Sequence, residues 1–297
     1  MDVVAGASGN TGGAVARELL ARGAPVRVLV RDADKGAAWR RAGAEVAMGD
    51  LTDAASLVRA FAGARGVYVL NPPAYPLPDL FAQARAIAEA VASAAREARL
   101  ERLVVLSSVG AHRAEGTGII ATNRTFEKRL GGLGIPVVFL RSAYFLSNWA
   151  WVAGPAAAQG VLPSFLAPAE RAIPMVAATD IGRVAAAALL SDEPGGVIEL
   201  AGPRSYSPRD VAAAFARVLG RGVEVVEIPE AGWGDALGGS GFAPRTIAAW
   251  TEMFRGFNSG WIGFEGGEDE VRRGGVELAE VAAAIAAPLR QGPPPAS

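Results

Sequence analysis

The sequence predicts an α/β protein with a Rossmann-like, doubly wound parallel sheet and a smaller C-terminal substrate lobe. Short apolar runs alternate with helical patterns over residues 1–142, as expected for strands that are buried on both faces of a parallel sheet. A glycine-rich turn follows the first apolar run, and stretches rich in aromatic residues, Gly and Pro interrupt the alternation later. The last feature indicates a lobe over the carboxyl ends of the strands, where open α/β sheets bind ligands.

The individual elements follow from this alternation. Nearly continuous apolar runs predict strands at 2–5, 26–30, 45–48, 66–70, 102–107, 135–140, 173–175 and 197–200. Apolar residues at helical spacing predict helices at 11–21, 54–62, 80–98, 119–130 and 181–190. Ser207, Pro208 and Asp210 have the residue types of a helix start, and Thr179 or Asp180 is expected to cap the helix over 181–190.

The same patterns predict the domain organisation. Residues 1–142 form the Rossmann domain, and 171–203 return to it. Residues 143–170 and 204–287 form the substrate lobe, whose many Trp and Phe side chains make either its core or a flat aromatic pocket. The Pro-rich stretch 288–297 is expected to be a disordered tail.

Composition excludes several classes of function. The 297 residues include no Cys and one His, which excludes disulfides, thiolate nucleophiles and cages of Cys or His around a metal. The balance of 29 Lys and Arg against 30 Asp and Glu argues against direct binding to nucleic acid or to a membrane surface. Without an apolar span or a leader pattern, the protein is expected in the cytoplasm. Its oligomeric state is not indicated.

A dinucleotide site is predicted at the turn between the first strand and the first helix. Three glycines at this spacing allow a tight turn, a close approach of a diphosphate and close packing of helix on strand. The exposed amides at the start of the helix attract the diphosphate. The expected contacts are Gly6, Ser8, Gly9, Asn10, Thr11 and Gly12.

The end of the second strand indicates which dinucleotide binds. Arg31 lies about 20 residues beyond the glycines, where proteins specific for NAD place an acidic residue. A guanidinium there, assisted by Lys35, favours the 2′-phosphate of NADP(H) over NAD(H). NAD(H) remains possible, because Asp32 rather than Arg31 could turn toward the ribose.

Other cofactor contacts are expected at the ends of the next strands. Asp50, beside Leu51, either accepts from the adenine amine or caps Thr52. The paired prolines after the fourth strand stop both strand and helix, which leaves carbonyl groups free to face a ligand. The residues expected to contact the cofactor are Asp50, Leu51, Asn71, Pro72, Ser107, Ser108 and Asn123.

These segments, together with Val137-Val138-Phe139-Leu140-Arg141, Phe145-Leu146-Ser147-Asn148-Trp149 and Gly256-Phe257-Asn258-Ser259-Gly260, resemble the NmrA-like family of atypical short-chain dehydrogenases. The resemblance spans most of the chain. It implies a Rossmann fold with a small carboxyl-side lobe and NADP(H) in the glycine turn. Members of the family are either reductases or redox-sensing regulators.

Related dehydrogenases use a tyrosine four residues before a lysine to transfer a proton. Counting by the spacing of related proteins, these places fall on Ile119 and Asn123, which cannot transfer one. Asn123 and Tyr144 are the candidate catalytic residues, with Ser108 and His112 also near the expected nicotinamide. Two hypotheses remain: an NADP(H)-dependent reductase of a small conjugated substrate such as a quinone, or a non-catalytic NADP(H) sensor that acts through a protein partner.

Overall fold

The computed structural model of the chain describes residues 1–72 and 75–290. Its strands are β1 (Asp2–Ala5), β2 (Val26–Val30), β3 (Glu45–Met48), β4 (Gly66–Val69), β5 (Arg102–Ser108), β6 (Val137–Ser142), β7 (Tyr144–Phe145), β8 (Val161–Ser164), β9 (Ile173–Val176), β10 (Gly196–Ala201), β11 (Ser205–Tyr206), β12 (Glu224–Glu227) and β13 (Arg272–Arg273). Its α-helices are α1 (Asn10–Ala21), α2 (Ala33–Arg41), α3 (Ala54–Phe61), α4 (Leu80–Glu97), α5 (Ala121–Leu130), α6 (Ala153–Gln159), α7 (Ala178–Leu190), α8 (Pro208–Leu219), α9 (Glu230–Gly238), α10 (Pro244–Ser259) and α11 (Leu278–Arg290). Short 3-10 helices lie at Gly118–Ile120, Leu146–Val152 and Glu268–Glu270.

The central sheet has eight strands in the order β13-β10-β6-β5-β4-β1-β2-β3, and all of its neighbouring pairs are parallel. Strand order reverses between β1 and β4, so a crevice opens there at the carboxyl ends. One face packs against α1 and α7, and the other packs against α3, α4 and α5. The predicted doubly wound α/β fold is confirmed.

The smaller elements lie toward the C-terminus of the chain. A two-stranded sheet pairs β8 with β12, and a three-stranded sheet has the order β11-β9-β7. Helices α6, α8, α10 and α11 contribute to one apolar cluster with the buried rings of Trp149, Phe215, Trp233, Trp250 and Phe254. Most of the aromatic residues therefore form core. Within the described residues, no helix has the length and hydropathy that crossing a bilayer requires.

Several boundaries differ from those predicted. Strand β6 begins at Val137, two residues later than expected, because Pro136 has no amide hydrogen to donate to a ladder. Helix α2 was not predicted, and most of its nine residues are exposed, with only Gly36 buried. Helix α11 continues through Pro288 to Arg290, so the predicted tail begins at least three residues too early. Residues 291–297 of that tail lie outside the described part of the chain.

Neither Thr179 nor Asp180 caps α7, although the sequence predicted that one of them would. The helix begins at Ala178, and Ala177 precedes it without a side-chain cap. Asp180 instead lies inside the first turn with only 2% of its surface exposed. Its carboxylate accepts hydrogen bonds from the amides of Gly275 and Val276, at 3.1 and 3.0 Å. It therefore joins α7 to the segment that leads into α11.

Replacement of Asp180 by Asn is expected to destabilise the fold by about 2 kcal/mol, because an amide NH2 then faces one of the two backbone donors. Urea unfolding followed by circular dichroism measures the change. The matched control is Asp53→Asn, since exposed Asp53 caps α3 through the amide of Ala55 and Asn is an equally good cap. Equal effects of the two substitutions would contradict the assigned role of Asp180.

Candidate active site

The glycine turn lies between β1 and α1, in the crevice where strand order reverses. Gly6 has a positive φ of 68°, and its carbonyl accepts from the amide of Gly9 at 2.9 Å. A Cβ atom on Gly12 would lie 2.4 Å from the Gly6 oxygen, so only glycine permits this packing of helix on strand. The turn has the close backbone approach that a diphosphate requires.

The N-terminus of α1 is open to a ligand. No side chain caps it, and Ser8, Gly9 and Asn10 are exposed. The first amides of a helix lack intrahelical acceptors and carry the positive end of its dipole. Thr11 is buried at the same turn. The free amide donors and the close glycine turn therefore fit the diphosphate of a dinucleotide.

The residues at the end of β2 have separate roles. Asp32 caps α2, since its carboxylate accepts from the amide of Asp34 at 2.9 Å. Arg31 and Lys35 are exposed. Arg31 is close enough to Asp50 to contribute to the lowered pKa of that carboxyl. The cap keeps one oxygen of Asp32 occupied, whereas Arg31 remains at the rim of the crevice.

Asp50 takes the second of its two predicted roles in this structure. One carboxylate oxygen accepts from the amide of Thr52 at 2.8 Å and from its hydroxyl at 2.6 Å. The bond from the hydroxyl is the main reason that the pKa of Asp50 lies below its usual range. Leu51, beside it, is half-buried.

The end of β4 lies against the glycine turn. The position of a Cβ on Gly6 is 2.5 Å from a methyl carbon of Leu70, so these strand ends are in direct contact. Asn71 and Pro72 follow and are half-buried. Pro73, the second of the paired prolines after β4, lies outside the described residues.

The two serines at the end of β5 differ. Ser107 is 1% exposed and donates to Glu127 at 2.6 Å. Ser108 is half-buried and donates to the neighbouring carbonyl of Val109 at 3.1 Å. The hydroxyl of Ser107 is thus committed to a side chain of α5, and only Ser108 retains some exposure.

The places of the usual tyrosine and lysine hold no proton-transfer pair. Ile119 is half-buried against the apolar cluster of the smaller elements. The Asn123 amide nitrogen lies 3.5 Å from the carbonyl of Leu106 in β5, a long contact. Lys128, the single lysine of α5, is exposed. Asn123 therefore lies beside the strand end, as expected for a residue near the cofactor ribose.

Tyr144 follows β6 at the carboxyl edge of the sheet and contacts two aromatic rings. Its ring centre is 6.3 Å from that of Trp149 and 5.5 Å from that of Phe257. Burial raises the pKa of Tyr144 to about 12, so the phenol keeps its proton at neutral pH. Tyr144 can therefore donate a hydrogen bond to a substrate oxygen.

A small cavity lies next to Tyr144. Its volume is about 50 Å³, and no charged side chain lines it. The lining residues are Tyr144, Asn148, Trp149, Trp151, Val152, Pro163, Phe165, Leu166, Leu237, Trp250 and Phe254. The aromatic residues thus form both core and pocket, where the sequence left the two as alternatives.

Four aromatic rings pack together at this cavity, and two of them, Trp151 and Trp250, line it. Tyr75, Trp151, Phe242 and Trp250 contact one another in all six pairs, with centre separations of 4.6 to 5.9 Å. The Ala243 amide also donates to the Tyr75 carbonyl at 3.0 Å. We call these four rings the aromatic cover. It joins the chain after β4 to the segments around α10.

Sequence reasoning missed a buried ionic cluster behind the β5 and β6 ends. The Arg141 guanidinium donates to both oxygens of Glu127, at 2.9 and 2.8 Å, and also pairs with Glu265. Glu199 accepts from the amides of Glu265 and Gly266, each at 2.9 Å. The sequence signal that could have identified this cluster is Arg141, the one charged residue of strand β6.

His112 lies beside this cluster in the turn after β5. Its Nδ1 atom is buried and has no hydrogen-bond partner among the described residues. Burial lowers the pKa of His112, which favours the neutral imidazole. The ring is therefore a poor proton donor at neutral pH, and it is not a simple solvated surface residue.

The chain is similar to characterised proteins over most of its length. The model of the NmrA-like family matches residues 3–259. The NAD(P)H azoreductase of Xenophilus azovorans is 28% identical over 257 residues, which cover 86% of each protein.

Solved structures share its fold. An NADPH-dependent quinone oxidoreductase of Escherichia coli has a TM-score of 0.77 and 23% identity, covering 96% of this chain and 99% of the other. The triphenylmethane reductase of Citrobacter sp. has a TM-score of 0.78 and 20% identity, covering 96% and 98%. Because the family model matches most of its residues, the chain belongs to the NmrA-like family.

Proposed function

We propose that the protein is an NAD(P)H-dependent oxidoreductase that reduces a small conjugated aromatic acceptor such as a quinone. The observation that carries this proposal is an uncharged aromatic cavity lined by Tyr144, which follows β6 at the same carboxyl edge of the sheet where α1 begins without a cap. The azoreductase relative and the quinone oxidoreductase of similar fold support it.

The cofactor would be held mainly by backbone. The amides of residues 8–12 face the diphosphate, and Gly12 lets it approach the turn. Asn71 and Pro72 would border the cofactor from β4, and Asn123 would reach its ribose. Arg31 and Lys35 would pair with a 2′-phosphate, which is the basis for a preference for NADPH.

When bound, a reduced nicotinamide supplies a hydride to the acceptor. Reduction of a quinone to a hydroquinone consumes that hydride and one proton, and it leaves the oxidised dinucleotide. The chain excludes water with its aromatic lining and donates a hydrogen bond from Tyr144 to the oxygen that gains charge. The one proton that the reaction consumes comes from solvent, because Ile119 and Asn123 cannot supply it.

The missing Tyr and Lys pair separates this reaction from alcohol or sugar chemistry. Such substrates need a base with a pKa near neutrality to move the hydroxyl proton. Tyr144 has no lysine at the usual spacing, and its pKa is raised rather than lowered. The site is therefore suited to acceptors that become anions or stable phenols after reduction.

Stopped-flow oxidation of NADPH with a panel of quinones, azo compounds and enones tests the proposed activity. We expect multiple turnovers with at least one quinone and none with simple ketones or sugar nucleotides. Tight NADPH binding without turnover for any acceptor would reject the reductase. That outcome would favour the alternative, an NADP(H) sensor that acts on a protein partner.

Replacement of Arg31 by Ala is expected to weaken NADPH binding about 10- to 100-fold, because it removes a charge-assisted pair with the 2′-phosphate. NADH lacks that phosphate, so its dissociation constant serves as the internal control and should change little. Titration of cofactor fluorescence measures both constants. An equal loss for the two cofactors would show that Arg31 does not read the phosphate.

Replacement of Tyr144 by Phe is expected to lower kcat for a quinone about tenfold while leaving the dissociation constant of NADPH unchanged, since one hydrogen bond to a developing anion is removed. Because the pKa of Tyr144 is about 12, wild-type kcat should show no inflection from this residue at neutral pH. Steady-state kinetics against pH check both points. An unchanged kcat in the variant would remove Tyr144 from the reaction.

A further inference from the structure

The indole N–H of Trp250 is buried without a hydrogen-bond acceptor among the described residues. Trp250 is 6% exposed and lines the cavity, and its Nε1 atom is buried with no hydrogen-bond acceptor in the described parts of the chain. A buried donor without an acceptor loses its hydration and gains nothing in return. A bound ligand that supplies an acceptor for the Trp250 N–H would remove this cost.

Other tryptophans in the same region are satisfied by the chain itself. The Nε1 atom of Trp233 donates to the carbonyl of Ile228 at 2.7 Å, and that of Trp261 donates to the carbonyl of Glu115 at 3.0 Å. Trp149 donates to the sulfur of Met175 at 3.4 Å. Among the described residues, Trp149 and Trp233 are buried like Trp250 but have paired indoles, whereas Trp261 is 46% exposed, so Trp250 is the exception among the buried indoles of this region.

The cavity contains several donors and no charge. Besides Trp250 and the other tryptophans, Tyr144 and Asn148 are the lining residues with polar side chains. A ligand that complements them presents hydrogen-bond acceptors on an apolar, uncharged body. A carbonyl oxygen on a flat ring has this chemistry.

The present volume of about 50 Å³ is smaller than ordinary ligand sites. A flat ring must therefore displace part of the aromatic cover. Trp151 is the ring best placed to move, because 55% of its surface is exposed, whereas Trp250 is held between Phe254, Phe242 and the rest of the cover. Trp250 can remain fixed while the site opens.

We propose that Trp250 is a specificity-determining residue whose indole N–H donates to the carbonyl oxygen of a planar, neutral substrate. This inference rests on the proposed function and adds to it. It makes an acceptor oxygen, and not only an aromatic body, a requirement of the site.

The test compares two ligands of similar shape, 1,4-naphthoquinone and 1,4-dimethylnaphthalene, in which methyl groups replace the carbonyl oxygens. Their affinities for the protein loaded with NADP+ are measured by competition with a fluorescent aromatic probe, so no turnover is needed. We expect wild-type protein to prefer the quinone about tenfold or more, as one hydrogen bond to a buried donor implies. Trp250→Phe should reduce this preference about tenfold and leave only the part that the Tyr144 hydrogen bond contributes.

Trp151→Phe is the matched control, since it makes the same ring change at a cavity residue that is not a buried unpaired donor. It should alter both affinities by a similar factor and keep the preference. If Trp250→Phe keeps the preference, or if wild-type protein shows none, the inference is wrong. The Thr246 hydroxyl, also without a partner among the described residues, lies one turn earlier on α10. If a water molecule bridges Thr246 and the Trp250 N–H, Trp250→Phe will keep the preference for the quinone.

A second measurement covers the case in which Trp250→Phe does not fold. In a ¹⁵N spectrum of wild-type protein with NADP+, naphthoquinone should shift the indole N–H signal of Trp250 and leave that of Trp233 in place. A stationary Trp250 signal at saturating quinone would overturn the inference. If the protein binds quinone but does not oxidise NADPH with it, the proposed reductase activity is wrong. The role of Trp250 in binding is still tested by the competition and ¹⁵N measurements, which need no turnover.

Discussion

The close contact of α1 with β1 is the constraint on which the rest of the site depends. Gly12 lacks a side chain where a Cβ would lie 2.4 Å from the Gly6 carbonyl, so the helix begins directly on the strand. Its first amides then point into the crevice where strand order reverses. The other candidate residues lie at or near the carboxyl ends of the neighbouring strands of this sheet.

The two halves of the site use different physical interactions. The proposed cofactor half would use backbone amides and a few polar side chains at the ends of β1 to β5. The proposed substrate half offers aromatic surface, which gives large burial energy and little directional preference. In that half, the donors of Tyr144 and Trp250 would orient a substrate. The aromatic cover links the two halves, and the Asp79 and Arg245 pair at 2.6 Å reinforces that link.

The ionic cluster around Arg141 shows why side-chain roles at strand ends were hard to predict. Ser107 has the position of a cofactor contact in the sequence, yet its hydroxyl donates a hydrogen bond to Glu127. Glu127 is 20 residues away and has no local pattern that marks it. Asp180 differs from its predicted role as a cap for the same reason, since the donors nearest in space decide where a carboxylate binds. Asp180 found its donors at residues 275 and 276.

The fold class, the first strands and the glycine turn could be predicted from the amino-acid sequence, because apolar periodicity, composition and glycine spacing are local properties of the chain. The resemblance to related dehydrogenases adds the prediction that Ile119 and Asn123 stand where a proton-transfer pair would be. The folded chain was needed to show which aromatic rings meet, that Trp250 is buried without an acceptor among the described residues, and that Arg141 lies among carboxylates from three segments. These contacts join residues far apart in sequence, so they depend on the packing of elements that no local pattern specifies.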